Sequence, residues 1–306
     1  MQERYDMNAI EIRNLSKSFR GMYAVDRLNM TVPVGAIYGF IGENGSGKST
    51  TEKLICGLLV PDQGEIKLFG KDYTDAGRRV RVGALIENAG CFPGSSVRNN
   101  LMMQAINLGI ENPNEEIERV LKIVRMEDSA QIKFKSCSLG MKQRIGIAMA
   151  LLGNPALLIL DEPINGLDTD GMRIMREILV EITQKYATTV LISSHMLGEL
   201  EKIATHYGII RQGRMIQELS AKEMESRARV FVSLKTQDMQ GAKNLLEKKF
   251  SGVKSEDGYL RVYDVDDAET IVEYLYANGH VVNEIKKNKI GLEEYYIELM
   301  SKKERN

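Results

Sequence analysis

The stretch GENGSGKST (Gly42–Thr50) decides the fold of this chain, because it fits the spacing G-x-x-x-x-G-K-[ST]. It follows a short apolar run, Ala36–Ile41, and Ser49–Leu59 after it has helical character. Glycines let consecutive backbone N–H groups turn inward around an anion, and the N-terminus of the next helix favours negative charge. The order of strand, glycine-rich turn and helix therefore predicts a phosphate-binding loop rather than a chance glycine turn.

Two side chains of this loop have chemistry of their own. Lys48 is long enough to reach the β- and γ-phosphates of a nucleotide, and the Ser49 hydroxyl can ligate Mg²⁺. We expect the whole loop to contact the phosphates: Gly42, Glu43, Asn44, Gly45, Ser46, Gly47, Lys48, Ser49 and Thr50.

A second motif, ALLILDEP (residues 156–163), is an apolar strand that ends in two carboxylates. Successive residues of a strand point in opposite directions, so Asp161 and Glu162 cannot have the same task. We expect Asp161 to hold the hydration shell of Mg²⁺ and Glu162 to orient or deprotonate the attacking water. The alternative is an acidic strand end with solvated side chains.

Composition excludes several classes of protein. The chain has 306 residues, with 41 lysines and arginines against 42 aspartates and glutamates, and this balance argues against a nucleic-acid partner. Its three cysteines are odd in number and widely spaced, which fits a reducing compartment better than a disulfide framework. We see no secretory signal and no run of the ~20 apolar residues that a membrane span needs, so we expect a cytoplasmic chain.

The order of elements predicts an α/β fold over residues 1–220. Strands alternate with helices, which indicates a parallel sheet covered on both faces, and a helical region runs over about 88–150. Within it, Ile117, Val120, Leu121 and Val124 share one helix face, with Asn114 expected as the N-cap.

Residues 221–306 read as a separate, small α+β domain, with the change placed in the charged run over 218–228. We expect the order β-α-β-α-β followed by a final helix. Asp266 and Glu269 resemble a capping box at the start of the second helix. Dimer support or regulation is one role for this domain, and a folding spacer is the other.

The segment CSLGMKQR (residues 137–144) narrows the class of nucleotide-binding protein, since a phosphate-binding loop alone also occurs in kinases and GTPases. It resembles the signature motif of the ATP-binding cassette (ABC) ATPases, whose common form is LSGGQ. Ser138 and Gly140 match that form, whereas Leu139 and Met141 replace a glycine and the glutamine. As an alternative, Ser138 is simply an N-cap serine, although the helix end that it caps would also bind an anion.

Further residues follow the family's order over roughly residues 8–220. INGLD, ending at Asp168, resembles the D-loop that crosses the dimer interface. His195 resembles the switch histidine that contacts the γ-phosphate, and Phe19 resembles the aromatic residue that stacks on adenine. For Phe19, packing in the core is the alternative.

The resemblance implies a P-loop NTPase fold of the ABC type. Its parts are a RecA-like core with a mixed sheet, an antiparallel β subdomain and a helical subdomain. The small C-terminal domain is additional to these.

Glu87 stands where the family normally has a glutamine that touches Mg²⁺ and the attacking water. Its surroundings, GALIENAGCFPG, look similar to loops of the bacitracin and lantibiotic (bacteriocin) exporters. A carboxylate there would stabilise Mg²⁺ but repel the γ-phosphate. We hypothesise that Glu87 is a metal contact, with a solvated loop glutamate as the alternative.

The resemblance also implies a function. Two such chains, as a homodimer or heterodimer, would sandwich two ATP molecules with Mg²⁺, each site being completed by the partner's signature motif. The dimer would lie on the inner face of the cell membrane and drive a separate polytopic permease, exporting an antimicrobial peptide or drug.

A rival interpretation is a soluble cassette ATPase that acts on ribosomes or nucleic acid. Such proteins generally have two cassettes or a long coiled-coil insertion. This chain has one cassette, and the ~50 residues between Glu87 and the signature segment lack sustained heptads.

Overall fold

The structure, a computed structural model, describes residues 7–72, 80–227, 230–263, 265 and 267–302. The backbone divides into two compact units, one ending at Ala221 and the other beginning at Lys222. The described part is mixed α/β with several sheets, as the sequence predicts.

The first unit begins with an antiparallel sheet of order β2-β1-β4-β5. Apolar side chains that alternate along β1 and β2, among them Ile10, Ile12 and Leu28, are fully buried, because one face of this sheet packs on the core. The strands are β1 (Asn8–Phe19), β2 (Met22–Pro33), β4 (Gln63–Leu68) and β5 (Lys71–Asp72).

A six-stranded sheet of order β10-β9-β3-β8-β7-β6 forms the centre of this unit. All its strands are parallel except β10, so the carboxyl ends of β3, β7 and β8 meet at one edge. Functional side chains that follow these strands are therefore brought together. The strands are β3 (Ile37–Ile41), β6 (Val82–Leu85), β7 (Leu157–Asp161), β8 (Thr189–Ser194), β9 (His206–Arg211) and β10 (Arg214–Ser220).

Six α-helices of the described residues accompany these sheets. The helices α2, α3 and α4 pack against one another through buried residues such as Leu101, Leu121 and Ile147. The expectation that Asn114 caps α3 is wrong: Asn112 occupies that position and Pro113 begins the helix, where its missing N–H costs nothing. The helices are α1 (Lys48–Ile55), α2 (Val97–Asn107), α3 (Pro113–Ile123), α4 (Leu139–Leu151), α5 (Thr169–Tyr186) and α6 (Leu197–Leu200).

The second unit has an antiparallel sheet of order β12-β13-β11-β14. Its core joins Val232, Leu234 and Val262 of the sheet to Leu246 and Ile271 of two helices. The elements are α7 (Ala221–Arg227), β11 (Val230–Thr236), α8 (Met239–Leu246), β12 (Val253–Glu256), β13 (Tyr259–Tyr263), α9 (Ala268–Ala277), β14 (Val282–Lys289) and α10 (Leu292–Lys302).

This order corrects the expected β-α-β-α-β. The observed β11-α8-β12-β13-α9-β14 is the ferredoxin-like order β-α-β-β-α-β, followed by the final helix. The missed strand β12 pairs with β13 through the two-residue turn Asp257-Gly258, whose φ angles of 52° and 75° suit a tight hairpin. The expected cap Asp266 lies outside the described residues, and Asp267 caps α9 by accepting from the Glu269 N–H at 2.9 Å.

Candidate functional site

The glycine-rich loop connects β3 to α1 by a tight backbone path. Gly47 has φ 107°, and a Cβ there would lie 2.4 Å from the carbonyl oxygen of Ala24, so only glycine fits. A Cβ at Gly42 would lie 2.5 Å from Ser46 Oγ. The buried Ser46 hydroxyl has no hydrogen-bond partner among the described residues. These observations fit a loop whose polar groups are satisfied by a bound anion.

This loop opens into a cavity of about 390 Å³ at the carboxyl edge of the central sheet. The N-terminus of α1 points its free N–H groups into the same region, which favours phosphate binding. The cavity brings together most of the sequence-predicted loop residues and both strand-end carboxylates. Its lining is formed by Ala24, Asn44, Gly45, Gly47, Lys48, Ser49, Thr50, Asp161 and Glu162.

Lys48 is buried and its ammonium lies within the loop. Its Nζ donates hydrogen bonds to the carbonyl oxygens of Gly42 at 2.6 Å and Glu43 at 3.1 Å. It also lies 4.0 Å from Glu162 Oε1. The positive charge is therefore fixed at the position where a phosphate would enter.

The two carboxylates at the end of β7 have different surroundings, as the strand geometry predicts. Asp161 Oδ1 accepts a hydrogen bond of 2.8 Å from the Ser193 hydroxyl on the neighbouring strand β8. Glu162 adopts a left-handed backbone with φ 49°, and its N–H donates to the Ser193 carbonyl oxygen at 3.2 Å. Such a conformation is strained for a non-glycine residue, and it follows directly on the last residue of β7.

His195 lies next to the second carboxylate. Its Nδ1 is 2.9 Å from Glu162 Oε2, which is ion-pair distance. The buried Oε2 has no hydrogen-bond partner among the described residues, so it keeps an unfilled acceptor position. Glu162 thus has one oxygen towards Lys48 and one towards His195, with acceptor capacity left for a further donor such as water.

Glu52 is a buried acid of this region that the sequence analysis missed. Its side chain is 0% exposed, and neither carboxyl oxygen has a hydrogen-bond partner among the described residues. Burial, and then the charge of Asp161, raise its pKa to about 8, while the nearby Ser193 hydroxyl, which donates to Asp161, acts in the opposite direction. The helical spacing from Lys48 to Glu52 was the available signal, since residues four apart share a helix face.

Glu87 is not among the residues that line the loop cavity. Its carboxylate is 63% exposed and forms an ion pair with Lys53 of α1, with 2.6 Å between Nζ and Oε1. Glu87 has φ 63°, and the Asn88 N–H donates to the Ile86 carbonyl oxygen at 2.7 Å. These features define a γ-turn of the rare positive-φ form with a non-glycine residue at its centre.

Phe19 lies at the end of β1 with 45% of its surface exposed. The alternative of a core-packing residue is therefore wrong. The Lys17 ammonium lies 5.7 Å from the centre of its ring. The exposed ring is free to stack on a flat ligand.

Ser138 and Asp168 each cap a helix and neither lines the loop cavity in the described chain. Ser138 Oγ accepts from the Met141 N–H at 3.3 Å at the start of α4, and Asp168 Oδ1 accepts from the Gly171 N–H at 2.8 Å at the start of α5. Both residues are exposed.

The signature segment and the INGLD segment lie against each other. A Cβ on Gly140 would lie 3.6 Å from Leu167 Cδ2, and one on Gly166 would lie 3.0 Å from Leu139 Cδ2. They therefore form one exposed surface that is separate from the loop cavity.

The cavity fits Mg²⁺ by the type of its oxygen donors. Mg²⁺ is usually bound by one or two carboxylates together with substrate phosphates, and a serine hydroxyl can join them. Ser49 and Asp161 line the cavity together. No cluster of three or more His, Cys, Asp or Glu side chains that could hold a metal by itself is found in the described residues.

Sequence comparisons agree with this geometry. The profile of the ABC transporter family matches residues 25–165. The bacitracin transport ATP-binding protein BcrA of Bacillus licheniformis is 36% identical over 297 residues, covering 95% of this chain and 97% of that protein. The lantibiotic transport ATP-binding protein SrtF of Streptococcus pyogenes is 37% identical over 209 residues, covering 68% of this chain and 90% of that protein.

Solved structures share the fold. One is cbiO1 of Clostridium perfringens, described as part of the ABC transporter complex cbiONQ. It has a TM-score of 0.66 and 26% identity over 72% of this chain and 92% of that chain. Another is a dimeric post-hydrolysis state of the ATP-binding cassette MJ0796 bound to ADP and Pi, with a TM-score of 0.63 and 22% identity. It covers 69% of this chain and 98% of that chain.

None of the helices that the structure describes combines the length and apolar character required to cross a bilayer. The phosphate-binding loop, the two strand-end carboxylates and the serine-capped helix occur in a cassette fold, and a full-length relative shares more than a third of its residues. The chain belongs to the ABC transporter family, as one of its ATP-binding proteins.

Proposed function

We propose that this chain hydrolyses ATP to drive a separate membrane permease that exports an antimicrobial peptide or drug. The observation that carries the catalytic part is the single cavity shared by the loop, Lys48, Asp161 and Glu162. In this proposal residues 1–220 are the ATP-binding cassette, with a helical subdomain over about 88–150. Residues 221–306 are an accessory domain.

The nucleotide would bind along the cavity edge. Its phosphates would accept hydrogen bonds from the loop N–H groups and meet the Lys48 ammonium, which already lies between two carbonyl oxygens. Its adenine would stack on the exposed ring of Phe19. The loop contacts are Gly42, Glu43, Asn44, Gly45, Ser46, Gly47, Ser49 and Thr50.

Mg²⁺, when bound, neutralises negative charge on the phosphates. Ser49 and Asp161 would hold it, and Ser193 fixes the orientation of Asp161 by its hydrogen bond of 2.8 Å. Glu87 would be a further contact, which requires its carboxylate to leave Lys53.

Glu162 is proposed as the residue that orients or deprotonates water. Its Oε2 is buried and keeps an unfilled acceptor position, and the strained backbone holds it at the strand end. His195, 2.9 Å from that oxygen, would contact the γ-phosphate and keep the carboxylate in position. Lys48 would stabilise the charge that develops on the phosphates during transfer.

A second copy of the chain, or a related one, would complete each site. Ser138 and Asp168 are exposed and Gly140 is half-buried, and the two segments that hold them contact each other apart from the loop cavity. Such a surface is available to a partner's nucleotide. Ser138 is the N-cap of α4, and the N-terminus of this helix favours an anion as that of α1 does. Two ATP molecules would then be enclosed between two chains.

The permease would dock where the Glu87 turn meets the helical subdomain. A groove of about 470 Å³ lies there between β6 and α4, with Leu85, Ala89, Leu108 and Met149 in its lining. Phe92, close by along the chain, is 62% exposed. The lining also includes the polar side chains of Arg81, Asn88 and Gln104. A groove of this mixed character suits a short amphipathic helix from a membrane subunit, so we place the working chain at the inner face of the cell membrane.

The cargo proposal rests on the named relatives. BcrA, described as a bacitracin transport protein, aligns along nearly the whole chain, including the accessory domain. SrtF is described as a lantibiotic transport protein. An antimicrobial peptide is the chemistry that these two descriptions share.

Replacement of the proposed base tests the catalytic part. Glu162→Gln is expected to abolish ATP turnover while ATP binding persists, and the ATP-loaded variant should elute as a dimer by light scattering. Retained turnover would contradict the role of Glu162. An ATP-loaded variant that stays monomeric at micromolar concentration would contradict the sandwich.

Affinity purification of the tagged chain distinguishes transport from the rival function, which is action on ribosomes or nucleic acid. The chain is purified both from solubilised membranes and from ribosome fractions. Recovery of a polytopic membrane protein is expected. Recovery with ribosomes instead would overturn the transport proposal.

A further inference from the structure

Lys53 has no task in the catalytic cavity, yet it forms a close ion pair with the residue that replaces the family's glutamine. Its Nζ lies 2.6 Å from Glu87 Oε1. Lys53 belongs to α1, the helix whose N-terminus forms part of the phosphate site. Among the described residues, the structure records no second ion pair for either side chain. Lys53 lies in the last turn of that helix, about 7.5 Å along the axis from Lys48, and the ion pair connects this end of α1 to the Glu87 turn.

The turn that Glu87 forms is strained. A non-glycine residue at φ 63° is held by the hydrogen bond from the Asn88 N–H to the Ile86 carbonyl oxygen. Strained backbone persists only where its surroundings hold it. Within the part of the chain that the structure describes, the Glu87 carboxylate is hydrogen-bonded and ion-paired to Lys53, and this contact keeps it in place.

Lys53 compensates the negative charge of Glu87. An uncompensated carboxylate at this end of α1, although outside the loop cavity, would still repel ATP over a distance comparable to the Debye length of about 8–10 Å whenever Mg²⁺ is not there to compensate. Lys53 supplies a compensating positive charge from the neighbouring helix. A lysine at this site thus makes a glutamate tolerable where a neutral glutamine is usual.

We infer that Lys53 is a positioning residue that neutralises Glu87 and holds its turn away from the phosphate-binding loop until Mg²⁺ and ATP are both bound. The Glu87 carboxylate would then leave Lys53 and move towards the metal, and the strained turn would relax. This inference rests on the proposed ATP site and on Glu87 as a metal contact. It adds a second position for the turn, and the residue that controls it.

The pair is expected to act on ATP binding rather than on folding. Exposed ion pairs contribute little to folding, and here the side chains are 31% and 63% exposed. We therefore expect Lys53→Met to leave the melting temperature almost unchanged. Its effect should be on ATP binding without Mg²⁺, a measurement that does not involve catalysis.

The test is a double-mutant cycle of ATP affinity measured by calorimetry in EDTA and again with excess Mg²⁺. In EDTA, Lys53→Met is expected to weaken ATP binding by about three- to tenfold, because Glu87 becomes an uncompensated negative charge. Glu87→Gln should bind ATP in EDTA at least as well as the wild type. In the Glu87→Gln background, Lys53→Met should change affinity by less than about twofold.

Two further variants serve as controls for the cycle. Lys53→Arg keeps the charge and should behave like the wild type. Lys185→Met is the matched control, because Lys185 forms an exposed pair with Glu181 at 2.8 Å on another helix. It should leave ATP affinity unchanged.

Each failure has its own signature. If Lys53→Met weakens binding equally in both backgrounds, Lys53 attracts the phosphates by itself and the inference is overturned. If Lys53→Met changes ATP affinity no more than Lys185→Met does, the ion pair has no role in binding and the inference also fails. If the wild type does not bind ATP with or without Mg²⁺, the proposed function itself is wrong.

Discussion

The Ser193 hydroxyl on β8 donates a hydrogen bond of 2.8 Å to Asp161 Oδ1 at the end of β7. The same serine accepts the Glu162 N–H, through its carbonyl oxygen and its hydroxyl, at 3.2 Å. One small residue therefore orients the Asp161 carboxylate and holds the backbone of Glu162, and no motif in the sequence marks it.

Ser193→Ala is expected to raise the Mg²⁺ concentration that half-saturates ATP hydrolysis by about tenfold, because a hydrogen bond to a charged group contributes roughly 1.5–3 kcal/mol. The measurement is a Mg²⁺ titration at saturating ATP. Ser194→Ala is the control, since the Ser194 hydroxyl accepts from the Met196 N–H and does not contact Asp161. Equal effects of both substitutions would contradict the orienting role.

Glu52 predicts an unusual dependence of stability on pH. Its pKa is raised on folding from the ordinary 4.5 to about 8, so between these pH values the folded chain binds more protons than the unfolded chain. Stability from this group is present below about pH 4.5 and is lost as pH rises towards 8. Urea unfolding of the nucleotide-free chain should show that decline.

Glu52→Gln should flatten this pH dependence. Glu52→Leu should increase the free energy of unfolding at pH 8 by about 1–3 kcal/mol, since it removes a buried polar group that has no partner. The charged groups acting on Glu52 are Asp161, Lys48 and Glu162, and these remain in both variants. Glu65→Gln on the exposed surface is the control, and an unchanged slope in Glu52→Gln would refute the assignment.

Gly47 and Gly45 separate backbone strain from steric collision in the loop. Both have positive φ, of 107° and 77°, but only a Cβ at Gly47 would collide, at 2.4 Å from Ala24 O. Gly47→Ala is expected to weaken ATP binding more than about tenfold, whereas Gly45→Ala carries only the strain, about 1 kcal/mol. The test is the ATP affinity of the two folded variants, measured by calorimetry. Equal losses would show that the collision is relieved by a small shift.

Phe19 is expected to affect nucleotide affinity without affecting stability. Stacking between an aromatic ring and a base contributes roughly 1–3 kcal/mol, so Phe19→Ala should weaken ATP binding at least about fivefold. Its melting temperature should stay close to that of the wild type, because 45% of the ring is exposed. Phe19→Tyr should retain affinity, and Met22→Ala, at 75% exposure on the next strand, is the control. Unchanged affinity in Phe19→Ala would exclude stacking.

Strong local patterns made the cassette predictable. The strand before the glycine loop, expected at Ala36–Ile41, is β3 at Ile37–Ile41. Ser138, which the sequence offers as an N-cap, caps α4, and that helix begins at Leu139. Such elements combine apolar periodicity with a cap or turn, so local sequence is sufficient to identify them.

The less predictable features depend on contacts between distant residues. β12 carries no apolar alternation, being mostly polar and exposed, and only its Asp257-Gly258 turn indicated a hairpin. The burial of Glu52 and its closeness to Asp161 depend on how α1 packs against β7. Likewise, the partner of Glu87 lies 34 residues away in the chain.

α1 has only eight residues, fewer than an isolated helix needs to persist in water. Its presence depends on Leu54 and Ile55, which are 0% and 1% exposed within the core. A core substitution such as Leu54→Ala would therefore weaken nucleotide binding, although Leu54 is absent from the lining of the cavity in the described chain. Affinity for nucleotide is in this sense a cooperative property of the packed interior, and tight nucleotide binding would report on the integrity of the whole cassette.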